Sequence, residues 1–365
     1  MRIAHLIWGM RTGGAETMLV DLANTQARTN EVGIFVANAS YDSALLSQIS
    51  PKVHVRLLKR PIGSRNPWYW VKLNAQLATF SPDILHAHQE GLIRFIAHSR
   101  VPKILTIHTT GTPLSPDTQR FDLLCAVSQA VRLELLHRAP RSSSLVILNG
   151  IRSADILPKT EYAQRHPFRI VQIGRLYPEI KGQDILLRAV RRVLDTAGPN
   201  AVTVDFIGGG ATPSVDVARK TLESLALELG MREACHFLGE WSRKRVYTEL
   251  YSFDLMVQPS RIEGFGLTIV EAMNAKVPVL VSSIDGPMEV IAHGLHGASF
   301  RVGDHVDCAN KILAIMQAST QSGFCDHMQA AADYAQATFD ITCTAQAYLW
   351  EYQRLLQLHT LQAVI

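Results

Sequence analysis

Residues 261–273 read RIEGFGLTIVEAM. Two carboxylates, Glu263 and Glu271, bracket a Gly-Phe-Gly turn that leads into an amphipathic run. Directly upstream stands LMVQPS (255–260), a short apolar run of the kind that forms a buried parallel strand. The stretch therefore reads strand, turn, helix, with the helix opening near Leu267 or Thr268. A helix start carries unpaired amides and the positive end of a dipole, which suits a diphosphate. Gly264 and Gly266 let backbone approach such a ligand with no Cβ in the way. Glu263 can then reach a group on one side of the phosphates, and Glu271, one turn inside, can accept from a ribose on the other. Taken alone, Glu271 reads equally well as charge compensation at a helix start.

Working outward, the same alternation continues in both directions. FRIVQIGRL, VTVDFIGGG, CHFLG, LMVQPS and VPVLVSS are strand-like, with helices expected from about Gln183 to Thr196, Asp216 to Leu229 and from Lys244. An earlier series runs MRIAHLIW, EVGIFVAN, DILHAH, KILTIH, LLCAVS and LVILNG, with ETMLVDLANTQA and AVRLELLHRA as helices. Between the two lies IRSADILPKTEYAQRHP, polar, with prolines at 158 and 167 and no sustained period. This predicts an α/β protein of two doubly wound Rossmann-like domains facing a central cleft, residues 1–160 and 161–342. TAQAYLWEYQRLLQLH has apolar residues at helical spacing. It is expected to form a C-terminal helix (343–365) that crosses back to complete the first domain.

Composition agrees with this. A chain of 365 residues, 47% apolar and 19% charged, has ample material for two cores and is not disordered. The five cysteines show no paired spacing, which argues against a zinc site or disulfide scaffold and suits five buried thiols. The N-terminal apolar run is too short for a signal peptide, and no stretch reaches the length of a membrane span. The expected location is cytoplasmic, or peripheral on the inner face of the membrane. From Met1 to Arg165 there are 19 Lys and Arg against 11 Asp and Glu, and in the remainder 17 against 21. The first half thus carries an excess of eight positive charges and suits an anionic partner, a phosphorylated acceptor or an anionic membrane surface. A charge fluctuation without function accounts for it equally well.

Further signals lie at other strand ends. In VQIGRLYPEIKGQD, Arg175 and Lys181 extend from the loop after a strand, where two cations can clamp a diphosphate. Solvated loop charges are the plainer reading of each. RTGGAE (Gly13, Gly14) and FIGGGA (Gly208, Gly209, Gly210) are glycine loops in strand-loop-helix context. Neither has G-x-G-x-x-G spacing, and no P-loop is present, which disfavours a dinucleotide cofactor. His108 closes the strand KILTIH, while His86 and His88 alternate in DILHAHQ. Metal ligation by that pair needs further ligands that the sequence does not display.

Together these residues resemble the retaining glycosyltransferases of family 4, which have the glycosyltransferase-B fold. GGAE (13–16), DILHAH (83–88), TIH (106–108), CAVSQA (125–130), ILNGI (147–151), GRL with KG (174–182), FIGGG (206–210), FLGE (237–240) and QPSRIEGFGL (258–267) follow the family's order. The resemblance implies a nucleotide-diphosphate sugar donor, UDP- or GDP-linked, as co-substrate, with no cofactor and no metal. It implies Arg175 and Lys181 on the diphosphate, Glu263 near the transferred sugar and Glu271 on the ribose. Gly208, Gly210, Gly264 and Phe265, and the amides of Gly266, Leu267 and Thr268, would line the donor, with Gly14 approaching from the other domain. Gly13, His88 and His108 would face the acceptor, with His108 beside the sugar hydroxyls. The implied reaction is transfer of a hexose to a glycan or lipid-linked acceptor in cell-surface polysaccharide or lipopolysaccharide synthesis. No nucleic-acid partner is expected. A sugar-nucleotide epimerase of the same fold and a catalytically silent partner subunit are the rival readings.

Overall fold

A computed structural model describes residues 1–97, 100–140, 142–162, 166–209 and 213–362. The chain divides into two compact units, one of Met1–Ile151 with Phe339–Ile365 and one of Arg152–Thr338.

Unit 1 is built on seven parallel strands: β1 (Arg2–Ile7), β2 (Glu31–Asn38), β3 (Val53–Arg60), β4 (Ile84–Ala87), β5 (Lys103–Ile107), β6 (Leu123–Ala126) and β7 (Ser144–Val146). Their order is β3-β2-β1-β4-β5-β6-β7. The winding reverses between β1 and β4, the kind of point where ligands of such sheets bind. Central strands are buried on both faces, so they read as continuous apolar runs; all four residues of β4 are buried. β3 escaped the sequence reading because it is an edge strand with alternating exposure, VHVRLLKR.

The last helix, Ile341–Gln362, belongs to unit 1 and packs on the helix Gly14–Gln26. It buries Tyr348 and Tyr352 completely. The amide of Ile151 donates to Phe339 O (2.9 Å) and that of Ile341 to Ile151 O (2.8 Å), pinning the points where the chain leaves and re-enters the unit.

Unit 2 has six parallel strands: β8 (Phe168–Ile173), β9 (Val202–Ile207), β10 (Cys235–Gly239), β11 (Leu255–Gln258), β12 (Val279–Ser282) and β13 (Ala298–Phe300). The order β10-β9-β8-β11-β12-β13 reverses between β8 and β11. Residues 152–160, placed with the first half on sequence, pack into unit 2 instead. The Lys159 amide donates to Ala275 O, and its buried ammonium sits 2.7 Å from Asp254 Oδ1. A lysine in the interior requires such a partner. The thiols also divide: Cys125, Cys235 and Cys308 are buried, whereas Cys325 and Cys343, expected inside, are exposed on helices.

Candidate active site

The reversal point of unit 2 gathers Arg175, Lys181 and Glu263. β8 ends at Ile173 and leads to Gly174, Arg175 and the short helix Pro178–Lys181; neighbouring β11 ends at Gln258 and leads to Glu263. Lys181 Nζ lies 2.7 Å from Glu263 Oε2, with both side chains only partly exposed. Gln258 Nε2 donates to the same oxygen at 3.3 Å. The carboxylate is therefore held from two sides, while the ammonium, with three donors, keeps capacity for further acceptors. Arg175 is exposed and makes no ion pair among the described residues. The sequence proposes two cations for a clamp; the structure holds one against Glu263 and leaves the other open.

The helix that follows the Gly-Phe-Gly turn spans Leu267–Asn274, capped by Gly266 at φ 97°, ψ 66°. That left-handed conformation suits glycine. The first helical bond is Ile269 N to Gly266 O, at 3.0 Å, so the amides of Leu267 and Thr268 precede the ladder. Gly264, Phe265 and Gly266 are buried, and Glu271 is half-buried one turn in.

Residues that sequence reasoning missed lock this turn against the Lys181 loop. Arg261 makes a bidentate pair with Asp184, both bonds 2.8 Å, and donates to Pro178 O at 2.7 Å. Partial burial raises the Asp184 pKa, but the hydrogen bond and charge of Arg261 outweigh that and the net displacement is downward. Ile180 O accepts from the amides of Arg261 (2.7 Å) and Ile262 (3.3 Å). Gly182 (φ 68°) packs so closely that a Cβ there would lie 1.9 Å from Pro259 O. At Gly286 a Cβ would lie 2.6 Å from Gly264 O, so a second glycine supports the turn from the helix Asp285–Val290. Gly208 (φ 145°) packs on Gly174 O at the end of β9. Gly210, expected on the donor, lies outside the described residues.

The reversal point of unit 1 is made of imidazoles. His5 on β1, His86 on β4, and His88 and His108 just past β4 and β5 form one cluster. His88 is buried, with Nε2 3.1 Å from His5 Nδ1 and Nδ1 3.3 Å from His108 Nε2. Both its nitrogens are thus engaged by neighbouring imidazoles, His5 on one side and His108 on the other. Desolvation pushes His108 down to about 4. His5 also falls to about 4 through desolvation, partly offset by a hydrogen bond to Gln26. His86 and His88 are lowered by desolvation and then by neighbouring imidazoles. All four are neutral at physiological pH. Gly13 and Gly14 open the first helix, Gly13 in an extended conformation and Gly14 exposed.

His5, His86 and His88 bring ring nitrogens within 4.8 Å of one another, close enough to consider a metal. Yet the His5 and His88 nitrogens bond each other, and His86 is taken by Tyr352 (2.6 Å) and Thr106 (2.7 Å). The donor set is satisfied internally, as a structural hydrogen-bonded stack would be.

Two doubly wound units are thus present, and the reversal point of the second holds clustered cations, acids and a helix start. Residues 157–336 match the family model of group 1 glycosyl transferases, and residues 12–154 that of glycosyltransferase family 4. The chain belongs to this glycosyltransferase family and has its two-domain glycosyltransferase-B fold. The D-inositol 3-phosphate glycosyltransferase of Mycolicibacterium smegmatis is 28% identical over 94% of this chain and 87% of its own. Among solved structures, Anabaena HepE in complex with UDP-glucose superposes with a TM-score of 0.79 at 23% identity, covering 98% of this chain and 99% of that one. The lipopolysaccharide outer core galactosyltransferase WaaB matches at TM-score 0.69 and 18% identity, covering 96% and 99%.

Proposed function

We propose that this glycosyltransferase moves a hexose from a UDP- or GDP-linked donor to a hydroxyl of a glycan or lipid-linked acceptor, retaining anomeric configuration and using no metal. The observation that carries the reading is the Lys181–Glu263 pair, 2.7 Å apart, where the strand order of unit 2 reverses. Unit 2 is the donor unit in this reading and unit 1 the acceptor unit. Lys181, Arg175 and the amides of Leu267 and Thr268 take the diphosphate and absorb charge as it leaves, the role a metal fills elsewhere. The sequence contains no Asp-x-Asp pair to hold such an ion. Glu263, fixed by Lys181 and Gln258, faces the transferred sugar, and Glu271 accepts from the ribose. The acceptor hydroxyl attacks on the leaving-group side, with the departing phosphate oxygen taking its proton.

The HepE structures with UDP and UDP-glucose support a uridine donor, and the WaaB likeness supports a role in lipopolysaccharide or other cell-surface glycan synthesis. A membrane-surface location draws on residues 59–72 of unit 1. Ile62, Trp68 and Val71 are 75%, 64% and 55% exposed, and Lys59 and Arg65 are exposed among them. Apolar anchors with interspersed cations suit an anionic bilayer. No described helix is long and apolar enough to cross a membrane.

The test is a binding screen of UDP-glucose, UDP-galactose, UDP-N-acetylglucosamine and GDP-mannose, followed by transfer assays with NMR assignment of the product anomer, with and without EDTA. Binding of one donor, an α-linked product and activity unaffected by EDTA are expected. Failure to bind any donor favours a silent subunit. Altered sugar configuration with no transfer indicates an epimerase. An inverted product or EDTA-sensitive turnover overturns the mechanism.

A further inference from the structure

We propose that Gln26, His5 and His88 are positioning residues that hold His108 in one tautomer, so that its bare Nδ1 accepts a hydrogen bond from a sugar hydroxyl. This rests on the reading of His108 as a site residue. Gln26 is fully buried, and its Oε1 lies 2.8 Å from His5 Nε2. A carbonyl oxygen only accepts, so the His5 proton is on Nε2. Burial keeps His5 neutral, which leaves Nδ1 bare, and that atom accepts from His88 Nε2 at 3.1 Å. The same logic moves outward by one ring. Neutral His88 has a bare Nδ1, which accepts from His108 Nε2 at 3.3 Å. His108, also neutral, is left with a bare Nδ1, the one nitrogen of the four rings that is buried without a hydrogen-bond partner among the described residues. A buried polar atom left unmatched calls for a partner, and a ligand hydroxyl supplies the donor that this lone pair lacks.

The other end of the Gln26 amide agrees. Its Nε2 donates to Tyr352 Oη at 3.4 Å; Tyr352 donates to His86 Nδ1 at 2.6 Å; His86 Nε2 donates to Thr106 Oγ1 at 2.7 Å. One amide therefore orients two chains of bonds, and turning it over would reverse both and place a proton on His108 Nδ1. The direction has a chemical consequence. A lone pair selects a hydroxyl donor and disfavours a deoxy sugar at that position, because the deoxy sugar leaves the buried nitrogen unmatched.

Imidazole proton–nitrogen correlation spectra of the whole protein labelled with 15N-histidine, at neutral pH, read the tautomers without any substrate. Nε2-protonated, Nδ1-bare rings are expected for His5, His88 and His108; a proton on Nδ1 of His108 overturns the proposal. In Gln26→Met, the single His108 tautomer should become a mixture. UDP-glucose affinity should fall by the reciprocal of the fraction of His108 that keeps Nδ1 bare, roughly twofold for an even mixture, while affinity for UDP, which lacks the hexose, stays unchanged. An unaltered His108 tautomer in that variant also overturns it. His108→Ala separates the two readings. Unchanged UDP-glucose affinity there removes His108 from the sugar site and with it the hydroxyl contact, whereas the tautomer spectra judge the relay independently.

Discussion

At the reversal of strand order, unit 1 sets β1 beside β4 and unit 2 sets β8 beside β11. The two sheets are wound alike, yet their edges are furnished differently. Unit 1 lines its reversal with four neutral imidazoles, two tyrosines and a glutamine, joined by hydrogen bonds and buried except for the half-buried His108. Unit 2 lines its own with a lysine, two arginines and their carboxylates, partly open to solvent. The winding creates a place for a ligand, and the side chains decide which charge it carries. Buried rings in low dielectric cannot hold charge and so select by hydrogen-bond direction. Half-open cations can hold charge and so select anions.

Acidification breaks this comparison most sharply. The four clustered histidines, His5, His86, His88 and His108, have folded pKa values below the unfolded value of 6.5, so the unfolded state binds more protons and stability falls as pH drops from about 6.5 toward 4. For His5 alone the loss is about 3 kcal/mol. Thermal melts between pH 7 and pH 4 should show unit 1 failing before unit 2. Simultaneous loss of both units, or no loss, would contradict the account of the cluster. Next in size, Lys181→Ala should lower turnover by roughly 100-fold or more while the protein stays folded. Near-normal turnover would remove Lys181 from the clamp.

Gly182→Ala forces a Cβ against Pro259 O in a left-handed backbone and should cost unit 2 more than about 2 kcal/mol in chemical denaturation. Unit 1 should be unaffected, and a wild-type midpoint for unit 2 would show that the loop relaxes freely. Smallest is Glu271→Ala, which should weaken nucleotide binding about tenfold, as loss of a hydrogen bond to a charged group does. Calorimetry showing unchanged nucleotide affinity would end its ribose assignment.

Much of the fold is legible along the chain. Apolar runs separated by glycine loops and amphipathic stretches mark parallel strands and crossover helices, because central strands are buried on both faces. The edges are harder. β3 alternates and carries charge, and β13 is only three residues long, so neither stands out from its surroundings. The start of the helix at Leu267 is legible too, since a strand, two glycines and an amphipathic run occur in succession. Arg261 adjoins Glu263 and Asp184 follows the Lys-Gly pair, but nothing local says that they meet.

The run of residues alone fixes the two doubly wound series of elements, the helix start and the identity of the acids and cations available to it. These follow from periodicity and local turn chemistry, which act over a few residues. Long-range packing decided that Lys181 pairs with Glu263 across 82 positions, and that Gln26 reaches Tyr352 across 326. It also decided that His88 faces inward to two other histidines. Such pairings arise where separate strands end side by side or where helices distant in sequence pack together. That proximity is set by strand order, which no local pattern encodes.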